Sequence, residues 1–286
     1  MRVKVWLFVS ILIGLGSVDQ LNAQTRVVEN AYEKSTTKER KPAPLPAVRE
    51  ADVVWSRTVW RLIDLREKAN QQFYFPTREI QGRKNLISII LKGIEQKTIA
   101  AFDAKTDDEF KKTLTYAESS NVFGADSMKT VKTVDPDTGV ETEIKVKKEF
   151  PASEVKQMMI KEVWYFDKQK STLQVRILGI CPIRVFVRNE KDPNPIYERK
   201  QLFWVNYPEI RGLLAKEESL NGFNGSRNLS FDDLFLTRRF DGYIVKEENM
   251  YNNRNIESYA SGEYAAQESE RIKNSIFNYE QDLWEY

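Results

Sequence analysis

"EVWYFDKQKSTLQVRILGICPIRVFVR", residues 162–188, is the stretch whose reading decides the fold. "EVWYFD" and "TLQVRILGI" are rich in β-branched and aromatic residues and flank the polar turn "KQKS", 168–171. "IRVFVR" follows Pro182 with strict alternation: Ile183, Val185 and Val187 on one side, Arg184, Phe186 and Arg188 on the other. "QLFWVN", 201–206, follows the proline-containing loop "NEKDPNPIYERK". Connections this short favour antiparallel neighbours.

Working toward the N-terminus, "PASEVKQMMIKE", 151–162, predicts a short helix capped by Ser153. "TVKTVDPDTGVETEIKVK", 130–147, predicts a β-hairpin that projects from the body, with "DPDTG" as its turn. "TDDEF", 106–110, places Thr106 and Glu109 at capping-box positions and predicts a helix start. Its acids Asp107, Asp108 and Glu109 fit a first helical turn, where the dipole favours negative charge, better than a metal site. "NLISIILKGIEQKTIAAFD", 85–103, begins as a deeply buried helix in which Gly93 is the weak point. "FYFP", 73–76, predicts a short extended piece stopped by proline. In "ADVVWSRTVWRLIDLREKAN", 51–70, Trp55, Val59, Leu62 and Ile63 keep the i, i+4, i+7, i+8 spacing of one helical face, and Trp60 falls off it. That stretch therefore reads as the first helix.

Toward the C-terminus, "YPEIRGLLAKEESL", 207–220, reads as a helix entered through Pro208. "GFNGSRN", 222–228, lacks the Gly-Lys-Ser/Thr ending of a phosphate loop. "SFDDLFLTRRF" predicts a short helix with Ser230 as cap and Asp233 at N3, and "DGYIV" a final strand. The fold class is therefore α+β: N-terminal helices packed on a central, mainly antiparallel sheet, with an extended arm and a helical tail.

Composition narrows the function. Lys+Arg is 44 against Asp+Glu 42, a formal net charge of +2, and the charges are interspersed. Nucleic-acid binders carry a strong basic excess, so none is expected as a partner. There is no histidine, which removes the commonest general base and the commonest zinc ligand. The single cysteine, Cys181, cannot form an internal disulfide and reads as a small buried apolar residue. No catalytic, cofactor-binding or metal-ligating residue is assigned, and no cofactor is expected.

The ends carry the rest. Arg2 and Lys4 precede an apolar run, Val5 to Gly16, and then Leu-Asn-Ala before Gln24. This is the layout of a secretory signal peptide over 1–23, cut after Ala23, with Leu21 a less than ideal minus-three residue. The run is shorter than the ~20 residues a spanning helix takes, and no later stretch is long and apolar enough. No cysteine follows the cut for lipid attachment, so an exported chain needs a borrowed tether. Residues 24–50 read as a proline-rich arm: Pro42, Pro44 and Pro46 favour polyproline II geometry, giving either a loose linker or an arm on a neighbouring molecule. Residues 51–247 read as the core. Residues 248–286 read as an amphipathic tail, with Ile272, Ile276, Tyr279 and Leu283 along one side, capping its own domain or docking on a neighbour.

Four stretches together resemble one family: "DVVWSRTVWRLIDLREKANQQFYFP", "RKNLISIILKGIE", "MMIKEVWYFDKQKSTLQVRILGICPI" and "LFWVNYPEIRGLL". They are similar to the gliding-motility GldN / PorN family of the Bacteroidetes type IX secretion system, over roughly residues 50–240, and the block 164–183 is the most characteristic. The resemblance implies a periplasmic, non-catalytic ring subunit beneath the outer membrane. It implies as partners further copies of itself, an outer-membrane lipoprotein (the K component) and a trans-periplasmic component anchored in the inner membrane (the M component). A closed ring needs two different patches on each subunit, and the candidates are the arm 24–50, the hairpin 130–147 and the tail 250–286. The tail offers Tyr251, Tyr259, Tyr264, Tyr279 and Trp284, a hot-spot composition. Deleting residues 250–286 is expected to weaken assembly more than folding. Two other classes compete. An aromatic content of 12% permits a secreted glycan- or peptidoglycan-binding module. A carboxylate-based hydrolase would need a spaced Asp/Glu pair, and none stands out.

Overall fold

The computed structural model describes residues 39–283, except 81, 106–107, 123–127, 135–140, 148–151, 188–196 and 221–228; for 128–134 and 141–147 it describes the backbone. The signal peptide 1–23, the arm over 24–38, the turn "DPDTG", Thr106 with Asp107, the loop "GFNGSRN" and Trp284 lie outside the described residues.

The chain opens with strand β1 (Val53–Asp64), the one-turn helix α1 (Gln71–Tyr74), helix α2 (Leu86–Glu95), strands β2 (Ala101–Asp103) and β3 (Thr113–Leu114), and helix α3 (Tyr116–Val122). The hairpin strands β4 (Met128–Val134) and β5 (Glu141–Lys147) follow, then the long strands β6 (Val155–Asp167) and β7 (Thr172–Val187). Strands β8 (Tyr197–Gln201) and β9 (Phe203–Asn206), helices α4 (Tyr207–Leu214) and α5 (Phe231–Leu236), strand β10 (Tyr243–Glu247) and helix α6 (Glu263–Asp282) complete it. The fold is α+β. The main sheet is antiparallel, in the order β10-β1-β6-β7-β9-β2-β3, with β8 also on β7. β4 and β5 form a two-stranded sheet of their own.

The centre is the β6–β7 hairpin read from 162–188, and it is longer than its sequence signal. Two expected helices are strands. Residues 53–64 form β1, between β10 and β6. Val59 and Ile63 face the helices, while Trp60 and Leu62 join Cys181, Ile183, Trp204 and Val245 on the opposite face. Both faces of β1 are buried, so polarity does not alternate along it. A spacing of four residues, as in Trp55, Val59 and Ile63, satisfies a strand as well as a helix. Trp60, off the helical stripe, fills the second face. Residues 155–162 form the first half of β6, entered through a 3-10 turn, Ala152–Glu154. A register shift between Val155 and Gln157 changes the parity of the strand, so Val155 and Met158 share one core. That bulge creates helix-like spacing within a strand.

The helix starting at Thr106 is also absent among the described residues; 108–110 are bends, and Ala104 and Phe110 lie on the second face. Phe110 packs there against Phe102 and Trp204. A Cβ at Gly179 would run into the Phe110 ring, so β7 needs glycine where this loop crosses. The Asp108 carboxylate receives Lys246 at 2.9 Å and its carbonyl receives Lys161 at 2.8 Å. Both ammonium groups lie over the Trp60 ring.

Helices α2, α4 and α5 follow their local signals, while α3 had no sequence expectation. α2 runs through Gly93 to Glu95, capped by the Asn85 side chain on the Ser88 N–H, and residues 101–103 leave it to become β2. A Cβ at Gly93 would stand 2.9 Å from Ile99 and Leu213, so the glycine permits close packing of α2 on α4. "FYFP", expected to be extended, is instead helical up to Tyr74, and only Phe75 before Pro76 is extended. α5 has the expected capping box, with Ser230 accepting from the Asp233 N–H and Asp233 accepting from the Ser230 N–H. Such a cap contributes about 1 kcal/mol. α2, α4 and α5 cover one end of the first face, burying Phe73, Ile90, Phe203, Ile210, Phe231 and Phe235.

α6 covers the other end of that face. Ile256, Ile272 and Ile276 pack on Val59 and Ile244. Tyr279 stacks on Trp55 at 4.6 Å, and Phe277 meets Trp164 edge-on. The helix also satisfies two strand donors: Ser269 Oγ accepts from the Ile244 N–H at 2.9 Å and Glu280 from the Leu173 N–H at 3.3 Å.

Candidate interaction surface

No group of three or more metal-ligating side chains occurs among the described residues. Cys181 is fully buried, and burial pushes its thiol up to about 12, so it is no nucleophile at neutral pH. The acid run near 107 divides: Asp108 holds Lys246, and Glu109 pairs with Lys111. The deepest carboxylates sit against arginines. Glu162, with no exposed surface, takes two bonds from Arg238 at 3.0 and 3.2 Å and lies 3.5 Å from Arg61. Trp164 Nε1 donates to it at 3.2 Å. Arg238 holds a left-handed backbone (φ 51°) just past the end of α5, a position where glycine is least costly. Its guanidinium reaches Glu162 from there while lying over the Trp164 and Phe240 rings. Asp232 is held by Arg211 through two bonds, 2.9 and 3.0 Å, and accepts from the Tyr207 hydroxyl at 2.9 Å. Burial, followed by the Asp232 charge, pushes the Tyr207 phenol well above its ordinary value. These groups hold elements together: β1, β6 and the turn after α5 in one case, α4 and α5 in the other. Buried charges left without partners would cost several kcal/mol, roughly 3–5 for a broken pair.

The described half of the arm, 39–50, lies on its own body. Arg40 pairs with Asp233 at 2.8 Å, the Ala43 carbonyl accepts from Arg211 at 2.6 Å, and the Pro46 carbonyl accepts from Arg176. Apart from Pro42 and Val48, which are half-buried, its residues are exposed. Proline has no N–H to offer a sheet, so the arm is gripped through carbonyls rather than by strand pairing.

The tail separates into two parts. The stripe Ile272, Ile276 and Tyr279 is consumed by the chain's own sheet, and Leu283 stays exposed. The preceding turn does the opposite. Met250 is 95% exposed and Tyr251 65%, and Tyr264, in the first turn of α6, is 73% exposed beside them. The turn is tightly bonded: the Asn249 N–H donates to Asn253 Oδ1 at 2.9 Å and the Tyr251 N–H to Asn249 Oδ1 at 3.0 Å. Asn252 and Asn253 both hold positive φ, 55° and 51°, which asparagine tolerates. The Arg254 guanidinium lies 4.8 Å from the Tyr251 ring centre and 4.4 Å from that of Tyr259. Tyr259, Tyr264, Gln267, Glu268 and Arg271 line an open groove beside it. There Arg271 donates twice to Glu268, holding that carboxyl below its ordinary value, and the Tyr259 hydroxyl donates to it as well. Of the five hot-spot residues expected in the tail, the structure brings Tyr251, Tyr259 and Tyr264 to one surface and stacks the half-buried Tyr279 on Trp55. Sequence reasoning passed over Met250 and Arg254, which no periodic pattern marks.

Among the described residues no helix is long and apolar enough to cross a membrane. No curated protein matches the chain. A family model does, the gliding motility associated protein GldN, over residues 48–285. That span takes in the sheet, both helical ends of its covered face and the exposed turn. With most of its length matched, the chain belongs to the GldN family, a component of gliding-motility and type IX secretion machinery.

Proposed function

We propose that the chain is a non-catalytic structural subunit of a periplasmic ring in the type IX secretion and gliding machinery. It is exported by the leader 1–23 and cut after Ala23. It is then held beneath the outer membrane by a lipoprotein partner, the K component, and contacts the trans-periplasmic M component. Membership of the GldN family carries the reading. The buried carboxylates Glu162 and Asp232 support it, because arginines occupy both. So does the sequence of the ends, which pairs a cleavable leader with no acylation cysteine.

Gentle detergent extraction of the native complex, with mass spectrometry and particle imaging, tests it. The expected result is a large ring containing this chain, beginning at Gln24, together with a lipoprotein. Recovery as a lone particle, or as a lipid-modified chain, overturns the reading.

A further inference from the structure

We propose that the surface formed by Met250, Tyr251, Arg254, Tyr259 and Tyr264 docks an acidic segment of a partner protein. That segment presents a carboxylate to Arg254 and an adjoining apolar side chain to Met250. The inference rests on reading the chain as an assembly subunit and adds where, and by what chemistry, one partner is held.

Charge supplies the first argument. The other arginines around α6 have acids in reach: Arg271 has Glu268, Arg57 has Glu247 and Arg199 has Glu257. Among the described residues no carboxylate pairs with Arg254, although it is exposed and placed against two tyrosine rings. The neighbouring acids Glu268 and Glu257 are already matched, so they do not repel an incoming carboxylate at full strength. A guanidinium with its planar donors free is a natural receptor for a carboxylate.

Residue type and rigidity supply the second. Methionine, tyrosine and arginine are enriched at protein interfaces, and a sugar ligand would have no use for a fully exposed thioether. The turn is fixed before any partner arrives. Its asparagine side chains bond its own backbone, and Asn255 forms a β-bridge to Lys246 of β10. Ile256, the next residue, is buried in the core under α6. A surface ordered in advance loses less entropy on binding.

Oxidation of Met250 reads the surface directly. Dilute peroxide is applied to the free chain and to the native complex, with buried Met158 as the slow control in both. Met250 is expected to oxidise at least tenfold more slowly in the complex. Arg254→Glu is expected to lower the fraction of chain recovered in the complex at least tenfold, without changing its melting temperature, and Arg254→Lys to restore part of it. On the purified full-length mature chain, a synthetic Glu-Leu-Glu peptide is expected to bind at least tenfold tighter than its Gln-Leu-Gln counterpart. Equal oxidation in free and assembled chain overturns the proposal, as does equal affinity for the two peptides. Protection of Met250 by self-association in sedimentation, or by peptidoglycan, overturns it in favour of a second copy or a glycan. Should no complex be recovered from cells, the assembly reading fails, while the peptide comparison still decides the chemistry of the surface.

Discussion

The arm and the tail look alike in the sequence, since both are charged, polar extensions flanking a richer core, but the body holds them by different physics. The arm over 39–50 touches it through an exposed ion pair and carbonyls gripped by Arg211 and Arg176. The tail places Ile256, Ile272 and Ile276 in a shared core with Val59 and Ile244. A helical stripe is a claim on apolar surface, and here the chain's own sheet supplies it. A run of alternate prolines makes no such claim, so it stays on the outside. The tail's free surface is therefore the turn before α6 and not the helix stripe.

The sharpest way to break this contrast is to delete residues 250–286. The sequence alone suggests that assembly weakens more than folding. The structure adds a large loss of folding, because the deletion uncovers Val59, Ile244, Trp55 and Trp164 together. Loss of the cooperative urea transition is expected, and a normal transition would place the tail outside the fold. Next in size is Ile272→Ala, which removes a fully buried side chain. It is expected to cost about 2–5 kcal/mol in urea titration, as large-to-small core changes do. Removing residues 24–47 is expected to cost only about 1 kcal/mol, because what it takes from the described body is an exposed ion pair and two carbonyl hydrogen bonds, and the buried Arg211 keeps Asp232 as its partner. A loss comparable to that of Ile272→Ala would show that the arm is core after all.

The smallest effect lies in the acid range. Arg66 donates to Asp64 and holds its carboxyl at about 2, below the ordinary 3.8, against a smaller opposing effect of burial. A carboxyl depressed on folding stabilises fully above its unfolded value, and that contribution fades as the pH falls through about 2. Asp64→Asn is therefore expected to flatten the fall of melting temperature between about pH 4 and pH 2, with a shift of at most a few degrees. An unchanged acid limb would remove Asp64 from the account.

The parts of the fold legible in the sequence were those with strong local chemistry. Turn residues and alternation marked β7, proline marked the entry to α4, and the Ser230–Asp233 pair marked α5. The α-helical reading of β1 failed because Trp55, Val59 and Ile63 suit either period and both strand faces are buried. The start of β6 failed because its bulge shifts parity between Val155 and Met158. The tyrosines of the candidate surface were visible as types. Which of them remained outside depended on Trp55, a strand residue far away in the chain, stacking on Tyr279.

Composition and order of residues by themselves determined the absence of histidine chemistry, the antiparallel centre, the α5 capping box and the family, because each depends on residue identity or short spacing. Only the tertiary structure decided that 53–64 is a strand, that α6 belongs to the core, and that Arg254 stands without an acid among the described residues. Those facts depend on what packs against a segment, and its partners lie many residues away in the chain.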